Sequence, residues 1–546
     1  MSQPIVSIRG LRVAFRSGSR EVEVLHGVDM SVNKGEILGV IGESGSGKTM
    51  TGLSLLRLLP DNAEVKAEEM RFDGMDLLPL SDTQFFDLRG VQMGMIFQDP
   101  VGSFNPSKRI GWHFEHVMRQ AGVPHGRERT IHLLEDVGVK RAAETVDLYP
   151  HQLSGGMLQR ALIAMVLALR PTLIVADEPT TNLDKVVEAQ ILELFLELRR
   201  KLNAAIIFVT HDMAVAASLC ERIVVMKAGD VVETGTAREV FTAPKHSYTR
   251  RLVDTAIELS SPKNGHAHRA SERETRAAAN GSAAEPLFRV RDLSVTFPGS
   301  RMRAAFTALE GVNFEIRSGE ILGLVGESGS GKTTLGRTLL RLYEPATGEI
   351  IYRDRDIAHL PERQLRPLRH ELQMVFQDPG GSFNPRKTMG ASLAEALRVV
   401  GCPDAQVHDQ TVALLERVGL TATHAGRYAH ELSGGQLQRA AIARAIALKP
   451  SMIVADEAVS KLDVSVRAGI LDLFEDIQAE TGMAMVFITH DLDAARFICD
   501  RIAILFHGKL LEIGPTEQVF DSPTHSYTRT LLASQGSLAK LIGASV

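Results

Sequence analysis

Cysteine is scarce in this 546-residue chain, and the three cysteines, at positions 220, 402 and 499, have no metal-ligand spacing. The scarcity argues against a disulfide-stabilised scaffold and against a cysteine metal site. Cys220 and Cys499 lie 279 residues apart in matching apolar segments. We therefore expect buried free thiols in a reducing cytosol.

Long apolar runs are also missing. The longest run, Ala161 to Leu169, is far shorter than the roughly 20 residues that a bilayer span requires. The first residues, Met1 to Ile5, lack a basic segment followed by an apolar one, so we expect no signal peptide. Any membrane association is expected to come through partners rather than through a transmembrane span.

Neither sign of charge dominates. The net charge of −5 gives no footprint for broad nucleic-acid binding, so we expect no nucleic-acid partner. With 44% hydrophobic and 23% charged residues, the composition is that of an ordinary globular protein. The length predicts roughly two to four domains.

One eight-residue stretch, Gly-Glu-Ser-Gly-Ser-Gly-Lys-Thr, occurs twice, at residues 42–49 and 326–333. Each copy fits the phosphate loop, or Walker A pattern, and stands between an apolar run and a helical pattern. Backbone N–H groups in such a loop surround phosphate oxygens, the lysine reaches the β- and γ-phosphates, and the hydroxyl ligates Mg²⁺. The predicted nucleotide-binding residues are Gly42, Ser44, Gly45, Gly47, Lys48, Thr49, Gly326, Ser328, Gly329, Gly331, Lys332 and Thr333.

Other landmarks repeat at a fixed spacing. The phosphate-loop lysines are 284 residues apart, whereas the later landmarks are all 279 apart, which one net deletion of five residues explains. The repeat indicates a tandem duplication and argues against the plain alternative, a glycine-rich turn that binds nothing. We predict domains at residues 1–258 and 286–546. The intervening 259–285 has almost no large apolar residues and is predicted to be a flexible linker with a reach of about 30 Å.

Each copy is predicted to begin with a strand that carries an aromatic residue, Phe15 or Phe297. That ring is suited to stacking on a nucleotide base, with a core phenylalanine as the open alternative. After the first phosphate loop, we predict a helix from Thr49 to Leu59 and then a β-rich patch. A strand leads to Gln98, followed by a helical insertion over 111–139.

A second anion site is predicted where Ser-Gly-Gly opens a long helix, because free N–H groups and a hydroxyl meet there. A simple helix cap is the alternative. The residues are Ser154, Gly155 and Gly156, repeated as Ser433, Gly434 and Gly435 and followed by Met157 or Gln436.

Two buried strands are predicted to deliver acid–base chemistry to one sheet edge. Leu173 to Glu178 ends in two carboxylates, of which Asp177 is placed to hold Mg²⁺ and Glu178 to orient or deprotonate the attacking water. A further strand leads to His211, for which we expect a γ-phosphate contact. The alternative for the two carboxylates is that they are simply exposed acids in a loop. The alternative for the histidine is a structural role.

Together these motifs resemble the nucleotide-binding domain of ABC transporters: phosphate loop, Q-loop, L-S-G-G signature, Asp-Glu pair, L-D loop and H-loop, in order and twice. The resemblance implies an α/β fold of two tandem P-loop NTPase (RecA-like) domains, each with an antiparallel β subdomain and a helical insertion. It implies ATP hydrolysis with Mg²⁺. The implied catalytic residues are Gln98, Glu178, His211, Gln377, Glu457 and His490, and the implied metal ligands are Thr49, Gln98, Asp177, Thr333, Gln377 and Asp456.

In that family two domains pack head to tail, with each ATP between the phosphate loop of one domain and the signature of the other. By that similarity, the first site would combine Lys48, Gln98, Asp177, Glu178 and His211 with Ser433, Gly434, Gly435 and Gln436. The second would combine Lys332, Gln377, Asp456, Glu457 and His490 with Ser154, Gly155, Gly156 and Met157. Neither copy lacks a hydrolytic residue, so we expect two competent sites.

Narrower features are similar to ATPases of oligopeptide, dipeptide and nickel importers. They are the Ser-Phe-Asn-Pro segments at 103–106 and 382–385 and the His-Ser-Tyr-Thr-Arg tails at 246–250 and 525–529. This similarity implies two membrane permeases, a periplasmic binding protein and a place on the cytoplasmic face of the inner membrane. Asn182 and Lys461 replace the usual alanine beside the L-D loops, and a cysteine cluster found in many first subunits is missing after Tyr248.

Three other classes are alternatives, and one of them, a pure scaffold with no turnover, is disfavoured by the two complete sets of glutamate and histidine. Twin-cassette translation factors act on ribosomes and carry a long, charged, helical linker, whereas the segment at 259–285 is short and rich in alanine and serine. Fused sugar-importer ATPases commonly have one degraded site, whereas both copies are complete here.

Overall fold

The computed structural model of the chain contains two compact units, Met1–Ile257 with Gly536–Val546, and Glu258–Gln535. Most of the predicted linker, from 261 to 285, lies outside the described residues, as do Asn182 and Lys461. The structure describes residues 3–18, 20–181, 183–260, 286–299, 305–460, 462–533, 538 and 543.

The first unit holds two sheets. The opening strand is confirmed, with Val6, Ile8, Leu11 and Val13 buried on one face. The strands are β1 (Val6–Ser17), β2 (Arg20–Val32), β3 (Ile37–Ile41), β4 (Ala63–Lys66), β5 (Glu69–Phe72), β6 (Met75–Asp76), β7 (Met93–Ile96), β8 (Leu173–Asp177), β9 (Ala205–Thr210), β10 (Arg222–Lys227) and β11 (Asp230–Thr236).

The helices of the first unit include the expected helical insertion after Gln98, which is formed by α3 (Ile110–Gln120) and α4 (Arg127–Asp136). They are α1 (Lys48–Leu55), α2 (Asp82–Leu88), α3 (Ile110–Gln120), α4 (Arg127–Asp136), α5 (Ala142–Thr145), α6 (Gly155–Ala168), α7 (Lys185–Leu202), α8 (Met213–Leu219), α9 (Ala237–Thr242) and α10 (Ser247–Ser260), with a 3-10 turn at Pro150–Gln152.

Helix α1 ends at Leu55, so its predicted extension to Leu59 was wrong. Arg57 has a left-handed backbone with φ 47°. Its guanidinium donates hydrogen bonds to the carbonyl oxygens of Leu77 and Leu80, at 2.6 and 2.8 Å. These bonds replace a further helical turn and fasten the end of α1 to the segment after β6.

The functional edge is built by the parallel sheet, in which the strand order is β11-β10-β3-β9-β8-β7. Strands β10, β3, β9, β8 and β7 run parallel, and β11 returns antiparallel to form a hairpin with β10. The antiparallel sheet has the order β2-β1-β5-β6, with β4 also pairing with β1.

The parallel sheet is buried on both faces, as its uninterrupted apolar strands predicted. In β3, Ile37 and Ile41 belong to the core formed with α6 and α7, whereas Leu38 and Val40 belong to the core shared with the antiparallel sheet. The carboxyl ends of β3, β8 and β9 are adjacent in this sheet, so the residues that follow them meet at one edge.

The second unit repeats the plan. Its sheets have the strand orders given by β13-β12-β15-β16 and β17-β18-β19-β14-β20-β21. The strands are β12 (Pro286–Phe297), β13 (Phe306–Arg317), β14 (Ile321–Val325), β15 (Thr347–Tyr352), β16 (Arg355–Asp356), β17 (Leu372–Val375), β18 (Met452–Asp456), β19 (Ala484–Thr489), β20 (Arg501–Phe506) and β21 (Lys509–Pro515).

The helices of the second unit follow the same sequence of elements. They are α11 (Lys332–Leu339), α12 (Glu362–Leu365), α13 (Met389–Val399), α14 (Asp404–Arg417), α15 (Gly434–Ala447), α16 (Val464–Thr481), α17 (Leu492–Ile498), α18 (Thr516–Asp521) and α19 (Ser526–Ala533), with 3-10 turns at Arg366–Leu368, Gly380–Ser382, Ala422–Gly426 and Ala429–Glu431.

Candidate functional site

The phosphate loop of each unit joins a buried strand to a helix, β3 to α1 and β14 to α11. Gly42 has φ 152°, and a Cβ atom there would collide with the carbonyl oxygen of Met226. Gly326 has φ 158° and faces the carbonyl oxygen of Leu505 in the same way. Only glycine fits these positions, because any side chain would collide with the neighbouring strand. The loop backbone can therefore pack closely against that strand.

The loop lysines are buried and point into the loop. Lys48 Nζ donates hydrogen bonds to the carbonyl oxygens of Gly42 and Glu43, at 2.7 and 2.9 Å. Lys332 Nζ makes the equivalent bonds to Gly326 and Glu327, both at 2.7 Å.

One polar atom of the first loop fits an anion directly. Among the described residues, Ser46 Oγ is buried without a hydrogen-bond partner. A hydroxyl and an ammonium group at a helix N-terminus form a cradle that suits phosphate oxygens. The residues present therefore fit a nucleotide phosphate.

Two oxygen donors meet beside each loop. Thr49 Oγ1 donates to Asp177 Oδ1 at 3.0 Å, and Thr333 Oγ1 donates to Asp456 Oδ1 at 2.9 Å. Burial raises the pKa of Asp177 to about 6 and also raises the pKa of Asp456. A hydroxyl oxygen beside a carboxylate oxygen suits a hard cation such as Mg²⁺, which would favour the ionised carboxylate.

Glu178 stands next after β8 and is held from several sides. Its backbone is left-handed, with φ 45°, and its N–H donates to the carbonyl oxygen of Val209 at 2.9 Å. Its Oε2 accepts hydrogen bonds from Gln98 Nε2 at 2.8 Å and Thr181 Oγ1 at 3.0 Å. Its Oε1 lies 3.1 Å from His211 Nδ1. A non-glycine residue at positive φ is strained, and such strain concentrates at functional sites.

The same partners set the charge of Glu178. Burial raises its pKa, but the hydrogen bonds from His211 and Thr181 and the charge of Lys48 outweigh that effect, so the pKa is lowered. The carboxylate is therefore ionised near neutral pH and able to accept a proton from water.

The second unit reproduces this arrangement. Glu457 has φ 47°, its Oε2 accepts from Gln377 Nε2 at 2.6 Å, and its Oε1 lies 3.3 Å from His490 Nδ1. Burial raises its pKa, but the hydrogen bond and charge of His490, the charge of Lys332 and the hydrogen bond of Ser460 together outweigh burial, so the pKa is lowered. Each unit thus brings together five of its predicted residues: lysine, aspartate, glutamate, glutamine and histidine.

The Ser-Gly-Gly motifs open helices α6 and α15 as expected. Ser154 Oγ accepts from Met157 N at 3.4 Å and Ser433 Oγ accepts from Gln436 N at 3.3 Å, so both serines are N-caps. The serines and the glycines that follow them, Gly155 and Gly434, are exposed at the surface. The geometry therefore confirms the cap, and the second anion site remains a prediction.

The two strand aromatics lie on the antiparallel sheets. Phe15 is half-buried against the core that this sheet shares with the parallel sheet. Phe297 is 36% exposed, and its ring packs edge-on against Tyr343 with centroids 5.4 Å apart. Base stacking by these rings stays a prediction.

Sequence reasoning missed two contacts of the site. Thr181, which hydrogen-bonds Glu178, was not among the predicted site residues. Tyr248 was treated only as part of a repeated tail, yet its hydroxyl accepts a 3.2 Å hydrogen bond from Glu43 N in the phosphate loop. The repetition of the tail in both halves was the available signal.

The expectation about two of the cysteines agrees with the structure. Cys220 and Cys499 are buried free thiols whose pKa values are raised by burial. Within the described parts of the chain, no helix combines the length and apolarity needed to cross a bilayer.

Comparison with known proteins gives matches along nearly the whole chain. Residues 25–181 and 309–460 match the family described as ABC transporter. Residues 232–283 and 511–543 match the oligopeptide/dipeptide transporter C-terminal region.

The curated relatives include glutathione import ATP-binding proteins named GsiA. The one from Salmonella paratyphi A (strain ATCC 9150 / SARB42) is 41% identical over 561 residues, covering 98% of this chain and 90% of the relative. The one from Escherichia coli (strain K12) is 41% identical over 558 residues, covering 97% and 89%.

Solved structures of ABC cassettes match single portions of the chain. The dimeric post-hydrolysis state of the ATP-binding cassette MJ0796, bound to ADP and Pi, is 27% identical with a TM-score of 0.39, covering 42% of this chain and 98% of that one. The protein cbiO1 from Clostridium perfringens is 25% identical with a TM-score of 0.40, covering 44% and 92%.

The two ABC transporter matches together span more than half of the chain, and each contains one phosphate loop and one Asp-Glu pair. The chain therefore belongs to the ABC transporter family, as an ATP-binding ATPase with two nucleotide-binding domains in one polypeptide.

Proposed function

We propose that this chain is the ATP-hydrolysing subunit of a binding-protein-dependent importer for peptides or related small solutes. The observation that carries the proposal is the pair of complete sites, each with glutamate, histidine and glutamine in contact. The relatives named for glutathione import and the match to the oligopeptide/dipeptide transporter C-terminal region support the class of solute.

Binding of ATP is assigned to the two phosphate loops. Lys48 and Lys332 exchange their bonds to loop carbonyls for bonds to the β- and γ-phosphates, and Ser46 Oγ gains the partner that it lacks among the described residues. The loop N–H groups at the start of α1 and α11 bind the remaining phosphate oxygens.

Mg²⁺ fits the Thr49–Asp177 and Thr333–Asp456 pairs, with Gln98 and Gln377 completing the expected ligands. When bound, the ion would neutralise phosphate charge and favour departure of ADP as the leaving group. These chain residues supply oxygen donors, and of them Asp177 and Asp456 are buried.

Hydrolysis is assigned to Glu178 and Glu457 as general bases. Each carboxylate takes a proton from the attacking water, while His211 or His490 orients the carboxylate and contacts the γ-phosphate. Gln98 and Gln377, bonded to the same carboxylates, connect the site to the helical insertion that follows them.

We further propose two composite ATP sites, in which the signature of one half completes the phosphate loop of the other. The exposed, open position of Gly155 and Gly434 at helix N-termini supports this role, because an added Cβ would meet nothing within 4 Å there. ATP that contacts both halves only when they are closed has the differential affinity that a shift toward closure requires. Hydrolysis then permits reopening.

The reopening step is proposed to act on two membrane permeases through the surfaces around Gln98, Gln377 and the helical insertions. A cleft of about 450 Å³ in the first insertion supports this, since Trp112 is 41% exposed there beside three cationic side chains. The second half keeps the lysine and the tyrosine but differs at the other three matching positions, which suits two distinct permeases. Lys108, Arg109, Trp112, Arg127 and Tyr149 correspond to Lys387, Thr388, Ala391, Gln406 and Tyr428.

This assignment places the chain at the cytoplasmic face of the inner membrane, with a periplasmic binding protein delivering solute to the permeases. Co-purification after gentle detergent extraction tests it. Two integral-membrane subunits should copurify with the chain, and their yield should fall with W112A. Sedimentation with ribosomes and no membrane subunit would favour the translation-factor class instead.

A further inference from the structure

The residue after each hydrolytic histidine is an aspartate that fixes the local backbone. Asp212 Oδ1 accepts hydrogen bonds from Ala214 N and Val215 N, at 2.9 and 3.1 Å, and so caps helix α8. Its own N–H donates to Thr210 Oγ1 at 3.0 Å. These hydrogen bonds fix the backbone at Asp212, which in turn positions the adjacent His211.

The other carboxylate oxygen of Asp212 meets a cation from a different element. Lys185 Nζ lies 3.3 Å from Asp212 Oδ2 and 2.7 Å from Glu188 Oε1. The three side chains are 21%, 28% and 13% exposed, so the cluster is partly shielded from water. Lys185 is the first residue of α7, directly after the L-D loop.

The second half makes the same connection with a different residue. Arg467 NH1 donates to Asp491 Oδ2 at 2.6 Å, and Asp491 follows His490 and caps α17 by accepting from Ala494 N at 3.1 Å. Arg467 NH2 also donates to the L-D loop, at the carbonyl oxygen of Leu462, at 3.3 Å.

The difference between the two halves is seen when residues 279 positions apart are compared. Lys185 corresponds to Val464, and Glu188 corresponds to Arg467. The cation is the first helical residue in the first half and the fourth helical residue, one turn further along the same face, in the second half. In the second half this arginine replaces the acid that the first half has at the fourth position. In both halves the partner is the aspartate that follows the histidine. Two different local sequences therefore form equivalent ion pairs.

A partly buried carboxylate without a cation is costly, and an ion pair in such a place fixes geometry more firmly than an exposed pair. We infer that Lys185 and Arg467 are positioning residues for hydrolysis, which hold the histidine loops against the helices after the L-D loops. The inference rests on the proposed roles of His211 and His490. Each cation is inferred to act on the hydrolytic site through the aspartate that it pairs with and through the backbone of the adjacent histidine.

The test uses the full chain and changes both halves together, so that an intact site does not mask a damaged one. In K185M/R467M we expect kcat for ATP hydrolysis to fall on the order of tenfold, because the histidine is misplaced, while KM for ATP stays within about twofold. A matched control, K201M, removes another lysine of α7 whose partner Glu197 is exposed. It should hydrolyse ATP at the wild-type rate.

The decisive variant exchanges the two solutions. K185V/E188R gives the first half the arrangement of the second, and V464K/R467E does the reverse. Combined, these four changes should restore kcat to within about twofold of wild type, because each aspartate regains a cation. A wild-type kcat in K185M/R467M would overturn the inference. The inference would also fail if the variant with all four changes bound ATP normally but its kcat were not restored. A parallel rise in KM would also overturn it, by indicating general structural damage.

The variant H211A/H490A separates this inference from the proposed function. If it hydrolyses ATP at the wild-type rate, the proposed role of the histidines fails and the positioning role fails with it. If it loses activity while K185M/R467M does not, only the positioning role is overturned.

Discussion

His211 Nδ1 lies 3.1 Å from Glu178 Oε1, and the second unit repeats this contact between His490 and Glu457 at 3.3 Å. In both units the glutamate adopts a left-handed backbone conformation and follows a buried strand that ends in aspartate. Such backbone strain concentrates at functional sites, and the histidine and the phosphate-loop lysine help to keep the carboxylate ionised.

Replacing both glutamates tests their role as general bases. In E178Q/E457Q the side chains keep their shape but do not accept a proton, so hydrolysis should fall at least about a hundredfold while ATP binding persists. Phosphate release and retained nucleotide measure the two effects. Substantial residual turnover would refute the assignment, and the single variants will report whether the two sites are unequal.

Thr181 donates a 3.0 Å hydrogen bond to Glu178 Oε2, the carboxylate proposed as the general base of the first half. T181V removes that bond, so the pKa of Glu178 should rise and kcat should fall about fivefold, the effect of roughly 1 kcal/mol. T172V is the control, since Thr172 Oγ1 bonds the carbonyl oxygen of Gln92 away from the site. Equal activities of the two variants in a steady-state ATPase assay would contradict the prediction.

Tyr248 links the C-terminal helix of the first domain to the phosphate loop. Y248F removes the acceptor for Glu43 N, and the loop should then hold ATP less firmly, with KM rising about fivefold and kcat little changed. Y149F, in the cleft of the helical insertion, is the control and should leave KM unchanged. A KM for Y248F equal to that of the wild type would disprove the linkage.

Glu512 fixes the equivalent tail of the second domain. Burial raises its pKa, but hydrogen bonds from Thr524 N and Oγ1, His525 N and Thr528 Oγ1 prevail and lower it from 4.5 to about 2. A lowered pKa means that this stabilisation is complete above pH 4.5 and is lost as the pH falls toward 2.

At neutral pH, E512Q should therefore lower the free energy of local unfolding of α19 by about 1 kcal/mol, a low value because the carboxylate is partly hydrated. Amide hydrogen exchange of α19 measures the change. The exposed Glu349, paired with Arg291, provides the control E349Q, which should shift exchange by less than about 0.5 kcal/mol. Identical protection in the two variants would contradict the role of Glu512.

The sequence was sufficient to place the principal residues of each half. Gln98, Asp177, Glu178 and His211 follow or end strands that are buried and apolar, and such strands are parallel, so their carboxyl ends share an edge. The duplication strengthened each assignment, because every motif could be checked against its second copy.

Contacts that depend on side-chain direction were not predictable in this way. The ion pairs of Lys185 with Asp212 and of Arg467 with Asp491 join residues about 25 positions apart, and at matching positions their sequences look unrelated. The early end of α1 depends on the bonds of Arg57 to carbonyl groups some 20 residues away. Tertiary contacts outweigh local helix propensity there.

The central claim, that each ATP is bound between the two halves, can be tested by counting trapped nucleotides in the E178Q/E457Q background. K48M disables one phosphate loop, and a charged residue at Ser433 or Ser154 disables one signature by repelling phosphate. If the sites are composite, K48M/S433E damages a single site and should retain one ATP per chain, whereas K48M/S154E damages both and should retain none. The reverse result, no ATP with K48M/S433E and one with K48M/S154E, would show that each half binds its nucleotide alone and would contradict the account.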